Sequence, residues 1–234
     1  MILPSLGLFD GLSLEYRNQI SMLVKWCTDN NLELNVMKTK EIIIDFRKNP
    51  TPVLPLSING TEIDIVTHFK FLGVNISNDL KWDFNTDQIV AKAQQRLYFL
   101  RRLKSFHVST KILIMFYRAV VESILTQSIT VWFGHTSAAD RKRLGRVIKY
   151  ASRIIGHEAE LATIEELYHR RVIKRSKAII KDEHHPANSL FRLMPHNKRY
   201  ASIATKTNRF LESFFPTAVR SLNALELRRP RPPH

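Results

Sequence analysis

The spacing of apolar positions changes near residue 80, and that change predicts two kinds of structure. In residues 13–30, Tyr16, Ile20, Leu23, Val24 and Cys27 share one face at helical spacing, and Ser13 is placed to cap the start. Asp29-Asn30-Asn31 predicts the turn that ends this helix. Strands are predicted over 32–36 and 41–46, the second rich in β-branched residues (Ile42, Ile43, Ile44). Arg47-Lys48 then runs into Asn49-Pro50-Thr51-Pro52, which breaks regular structure. Segments 55–58 and 62–67 flank Asn59-Gly60, a strong hairpin signal. A last strand is predicted over 69–76, where Gly73 implies a bulge or a close backbone approach.

Beyond Asp79 the period becomes helical. Ile89, Ala93, Leu97, Leu100 and Leu103 form one stripe. Ser109 precedes a second, of Ile112, Met115, Phe116, Ala119, Val120, Ser123 and Ile124. Ser137 and Asp140 approximate a capping box before Leu144, Val147, Ile148, Ala151 and Ile155, and Thr163 with Glu166 forms another before a helix to about Ile180. The fold class expected is α+β: a small antiparallel sheet with a packed helix over 1–80, then a helical bundle over 81–181. Residues 182–234, divided by Pro186, Pro195 and Pro216, are expected to be a weakly structured basic extension, with one more helix around 208–214 and a disordered end over 226–234.

Composition changes the picture in one respect. A content of 44% hydrophobic and 24% charged residues is that of a globular protein, but 36 Lys and Arg against 21 Asp and Glu leave a net charge of +15. That excess points to a polyanionic partner, nucleic acid ahead of an acidic membrane surface. With Cys27 as the one cysteine, the chain can form no internal disulfide and no zinc finger, which favours an intracellular setting, nuclear or cytoplasmic. The N-terminal MILPSLGLF lacks a basic flank and a cleavage site, and no run of about 18 apolar residues is seen, so neither a signal peptide nor a membrane span is expected.

Four basic clusters are candidates for that partner. Lys38 and Lys40 sit between two predicted strands, where a lysine can hold a phosphate or donate a proton, or can simply be an exposed turn residue. Phe71 and Gly73 mark a strand that a ligand backbone can approach closely. Lys92, Arg96, Arg101, Arg102 and Lys104 alternate with Tyr98, Phe99 and Phe106, a mixture suited to phosphate neutralisation and base stacking or to a solvated helix face. Arg141, Lys142 and Arg146 lie in RKRLGRVIKYASR at 141–153, around an apolar stripe that is the safer structural inference.

Two stretches carry a resemblance. LELNVMKTKEIIIDF at 32–46 and HFKFLGVNIS at 68–77 resemble the last two motif blocks of the palm in non-LTR (LINE-type) retrotransposon reverse transcriptases. KAQQRLYFLRRLKSF at 92–106, FYRAVVESILTQSITVWFG at 116–134 and IIG at 154–156 are similar to the thumb of that family, and SFFPTAVRSLN at 213–223 to the segment after it. The resemblance implies that 1–80 is a palm remnant, that Lys38 matches a lysine acting near departing pyrophosphate, and that FKFLGV at 69–74 is a primer grip. It further implies that the segments around Lys38 and Gly73 share one sheet and that the catalytic aspartates precede residue 1. The expected product is an inactive reverse transcriptase derivative that binds RNA or an RNA/DNA hybrid. Mg²⁺ would serve only the intact polymerase. A shorter stretch near 92–110 is similar to the N-terminal domain of alkylated DNA repair protein AlkB homologue eight, a family that also carries 2-oxoglutarate/iron dioxygenase and methyltransferase domains.

Catalytic chemistry finds little support in the residues. There is no adjacent Asp-Asp to hold a metal pair, no His-x-Asp or His-x-Glu for an iron triad, and no glycine-rich cofactor loop among 7 glycines. His157-Glu158 lacks the second histidine of a zincin, and His184-His185 precedes Pro186. No catalytic or metal-ligating residue is therefore assigned, and no enzymatic activity is expected of the chain as it stands.

Overall fold

The computed structural model describes residues 14–49, 54–156, 160–195 and 197–227. The Ser13 cap, the Pro50–Pro52 break, the His157-Glu158 pair and most of the basic end lie outside the described residues. The class is α+β, and the chain divides into two compact units: residues up to Lys70 with Ile76–Leu80, and Phe71–Asn75 with Lys81 onward.

In the first unit α1 (Leu14–Asp29) buries Ile20 and Cys27, as its apolar spacing predicts. Ile20 joins Leu56, Ile58 and Ile63 in a small core, with Tyr16, Val24, Leu34 and Val36 packed on it. The expected strands are shorter or absent. Residues 32–35 form no strand, and Val36–Lys38 is a 3-10 turn capped by Asn35, whose side chain accepts from the Lys38 amide at 3.0 Å. β1 is only Lys40–Glu41, and β2 (Ser57–Ile58) and β3 (Thr61–Glu62) pair antiparallel across Asn59-Gly60. Both turn residues have positive φ (51° and 77°), the backbone that this hairpin turn demands.

Three further expectations about the sheet are corrected. There is no single antiparallel sheet among the described residues, but three two-stranded ladders. One of them, β1 with β4 (Asp64–Ile65), is parallel. The strand expected over 69–76 is a hairpin, β5 (His68–Phe71) and β6 (Val74–Ser77), turning at Leu72-Gly73 with φ of 46° and 87°. The segments around Lys38 and Gly73 therefore belong to different ladders. The physical reason is the two-residue turn: Gly73 supplies positive φ at no steric cost, so the chain reverses where a bulged strand would have continued.

The second unit is helical: α2 (Asp83–Ser105), α3 (Thr110–Phe116), α4 (Ser123–Leu125), α5 (Ile129–Trp132), α6 (Ala138–Ile155), α7 (Ile164–Lys181), α8 (Asn208–Leu211) and α9 (Phe214–Leu227). α2 and α6 run parallel. Arg143 near the start of α6 bridges to Asp87 near the start of α2, and Lys104 at the end of α2 donates to the Ile155 carbonyl at the end of α6. Between these ties Val90, Ala93, Leu97 and Leu100 of α2 and Leu144, Val147, Ile148 and Ala151 of α6 are buried. Each large aliphatic side chain so buried contributes roughly 1.5–3 kcal/mol.

The face predicted for the next helix is wrong by a quarter turn or more. The buried apolar residues from Leu113 run every fourth position (Leu113, Tyr117, Val121, Leu125 and Ile129), with Thr126 and Trp132 also buried, while Ile112 and Met115 are exposed. A strict spacing of four drifts about 40° per step in an α-helix. The wide π turn at Tyr117–Glu122 absorbs that drift between α3 and α4. Thr110–His135 is long and apolar enough to cross a membrane by length and composition alone, although Ser128 at φ 48° breaks the helix within it.

Ser137 caps α6 through the Asp140 amide, and Thr163 with Glu166 forms a complete capping box on α7, as their sequences predict. The extension beyond residue 181 is more ordered than expected. α9 packs on α7, and Asn223 pins Tyr200 with two hydrogen bonds of 2.8 and 3.0 Å. The helix anticipated at 208–214 is the short α8, and the long one follows it.

Two outcomes test this packing. A Cβ at Gly134 would fall 2.2 Å from the Glu212 backbone carbonyl, so Gly134→Ala should cost about 1–3 kcal/mol in urea unfolding. In the first unit burial, and then the Glu41 carboxylate, push the Tyr16 hydroxyl up to about 12 from 10.0. A raised acid pKa means the protonated form is favoured by folding. Its contribution is complete below about pH 10 and is lost as pH rises through about 12, a dependence that Tyr16→Phe should abolish in alkaline denaturation curves.

Candidate nucleic-acid interface

The basic side chains divide into those the fold uses and those it leaves exposed. Lys40 belongs to the first group: it is opposite Asp64 across the β1–β4 ladder and forms an ion pair with it, so it is not an open phosphate ligand. Lys38 ends the 3-10 turn with its side chain exposed. Phe71 is half-buried at the end of β5. Gly73 is approached by the Gln127 side chain, whose amide nitrogen would lie 2.2 Å from an added Cβ. The close approach anticipated at Gly73 is thus made within the protein.

On α2 the helical period sorts the candidates. Residues 86, 90, 93, 97 and 100 are buried, so the opposite face presents Lys92, Arg96, Phe99, Arg102 and Phe106, with Tyr98 alongside. Arg96 lies over the Phe99 ring at 5.8 Å and Arg102 over the Phe106 ring at 5.4 Å. Tyr98 meets Phe99 edge-on at 5.5 Å. These rings are 56% (Tyr98), 46% (Phe99) and 66% (Phe106) exposed, so they do not belong to the core. Each cation–ring pair at the surface is worth about 0.5–1 kcal/mol, enough to hold a guanidinium beside an aromatic plane. Arg101 is exposed but lies on a different side of the helix, and Lys104 is drawn to the Ile155 carbonyl at 2.9 Å. There its charge complements the C-terminal end of α6, which makes it a structural cap.

On α6 the same division holds. Arg141 donates to the carbonyls of Thr136 (3.2 Å), Gly134 (2.9 Å) and Phe133 (3.4 Å) and lies 5.0 Å over the Phe133 ring. It closes the turn before the helix and is not an exposed ligand. Arg143 is bound by Asp87 at 2.5 Å and Asp140 at 2.8 Å, and the Asp87 hydrogen bond raises its pKa above the ordinary guanidinium value. Lys142 and Arg146 are exposed, and neither enters an ion pair among the described residues.

Two sets of cations were not singled out from sequence. Lys149 and Arg153 continue Lys142 and Arg146 along the exposed side of α6, and Arg170, Lys174, Lys177 and Lys181 line the exposed side of α7. The signal that finds them is a spacing of 4, 3 and 4 residues, the period of one helix face, which is the same in both sets. Among the described residues no group of three or more His, Cys, Asp and Glu is placed to hold a metal ion.

A family model described as "Alkylated DNA repair protein alkB homolog 8, N-terminal" matches residues 82–123, which comprise α2, α3 and the wide turn. No curated protein and no solved structure matches the chain.

The sorting predicts opposite outcomes for neighbouring arginines and lysines. Arg141→Ala, which leaves carbonyls unpaired, should destabilise the chain by about 1–3 kcal/mol in urea titration. Lys142→Ala and Arg146→Ala should stay within about 0.5 kcal/mol of the parent.

Proposed function

We propose that the helical unit binds single-stranded RNA, with the outer face of α2 as its base-stacking surface. One observation carries this: two guanidinium–ring pairs, Arg96 with Phe99 and Arg102 with Phe106, repeat along one exposed face that Lys92 extends. Unpaired bases stack on such rings, while the cations beside them neutralise the phosphates on either side. The net charge of +15 favours encounter with a polyanion, and the match over 82–123 falls on the same helix. On this reading the segment is an RNA-binding accessory module akin to that N-terminal region. Iron chemistry is not assigned, because the described residues offer no group of three or more ligand side chains for an iron centre.

A second, finer reading takes the module as the thumb of a LINE-type reverse transcriptase that keeps its grip on RNA or an RNA/DNA hybrid without polymerase activity. It is supported by the resemblance of 92–106 and 116–134. The separate ladders around Lys38 and Gly73 weigh against the palm half of that reading. Adding a polymerase fragment that carries the aspartate motifs, with Mg²⁺, should restore primer extension if the second reading holds. No restoration favours the accessory module.

The test of binding is fluorescence anisotropy with a labelled oligouridylate across a salt series. The logarithm of affinity should fall with the logarithm of salt by about 0.7 for each phosphate neutralised. Phe99→Ala and Phe106→Ala should each cost about 1–3 kcal/mol of binding with unchanged melting. Salt-independent or absent binding, as a product without a selected role would show, would overturn the proposal.

A further inference from the structure

Resting on that reading, we propose that the Gly145 side of α6 is a second, separate RNA contact: a track for the phosphodiester backbone formed by Lys142, Arg146, Lys149 and Arg153. These residues follow the 4-3-4 spacing of one helix face, opposite the buried Leu144, Val147, Ile148 and Ile155. At 1.5 Å per residue they make a line of about 16 Å with a cation each turn. Such a row suits a string of phosphates, whereas a lone phosphate is held by cations that converge.

Gly145 supplies the second observation. It sits in the interior of an 18-residue helix, where glycine costs about 1 kcal/mol relative to alanine. No packing explains it, because a Cβ added there meets nothing within 4 Å. Gly145 instead helps to floor an open depression of about 560 Å³, with Ala138 beside it, Lys142, Arg146 and Lys149 around it, and Glu165 of α7 on its rim. Small residues in the floor let a sugar–phosphate chain come close to the helix, and the cations around them meet its charges. The track is indifferent to base sequence, since among the described residues of α6 Tyr150 is the one aromatic, and Arg153 lies over it at 5.7 Å. A lipid surface is not favoured: a helix lying in a bilayer needs large apolar residues on its outward side, and those of α6 are in the core.

The experiment compares the full chain with three variants by anisotropy on the same oligouridylate, with phosphatidylserine vesicles as a control arm. Gly145→Leu changes no charge and fills the floor. It should hold or raise the melting temperature while weakening RNA binding several-fold. Replacing Lys142, Arg146 and Lys149 together by Ala should lower the salt slope by about 2, at about 0.7 for each phosphate that is no longer neutralised. Glu165→Gln should tighten binding. If the parent chain binds, and Phe99→Ala weakens it, but Gly145→Leu and the triple variant bind RNA like the parent, the track does not exist while the α2 surface stands. If the triple variant no longer binds vesicles and keeps RNA, the track is equally overturned. If the parent chain shows no salt-dependent binding, both proposals fall together.

Discussion

The second unit depends on the parallel clamp between α2 and α6. Its seam is apolar, but its register is set by two polar ties: Arg143 between Asp87 and Asp140, and Lys104 on the Ile155 carbonyl. An apolar seam alone permits sliding by a turn, because leucines and alanines recur with the helical period. The ties do not, since each joins residues at matching ends of the two helices. A parallel pair also requires a return path, and α3 to α5 provide it, bringing Trp132 and Phe133 into the interior. The exposed faces that carry the proposed RNA contacts are the leftovers of this arrangement, fixed once the buried faces are chosen.

The same clamp explains why a basic chain of this kind cannot be read by counting charges. Arg141, Arg143 and Lys104 are drawn into carbonyl, ring and carboxylate contacts, and Lys40 is matched by Asp64 across a ladder. Lys92, Arg96 and Arg102, and the stripes of α6 and α7, remain on the surface. A guanidinium with its forked donors suits the interior role at a turn or between two acids. The lysines on outer helix faces keep their hydration and their charge.

Much of the helical half, and one hairpin of the first unit, was legible in the sequence. The spacing of Ala93, Leu97 and Leu100, the Ser137 and Thr163 caps, and the Asn59-Gly60 turn all stand where local chemistry puts them. The strands were less legible. Ile42 to Ile44 have the composition of a strand, but among the described residues the ladder stops at Glu41, because pairing is decided by distant segments that local propensity does not report. Leu72-Gly73 was hidden for another reason: leucine at positive φ is rare, so nothing before Gly73 announced a reversal. At the candidate site the aromatics of α2 were visible as a pattern, but which arginines were occupied was not. Arg141 and Arg146 differ only in what the folded chain brings beside them.

The wide turn at Tyr117–Glu122 has one more implication. It holds a surplus residue that works as a phase adjuster between two halves of a helix. Removing one residue together with the wide turn would restore the phase, whereas forcing a regular helix through the stretch without removing a residue would rotate everything downstream by about 100°. Leu125, Ile129 and Trp132 would then exchange places with residues meant for solvent. Chain length and turn width are therefore coupled through this stretch: a helix lacking both the surplus residue and the wide turn keeps the same inward side, and a comparison that left out a one-residue gap there would pair interior positions with surface ones.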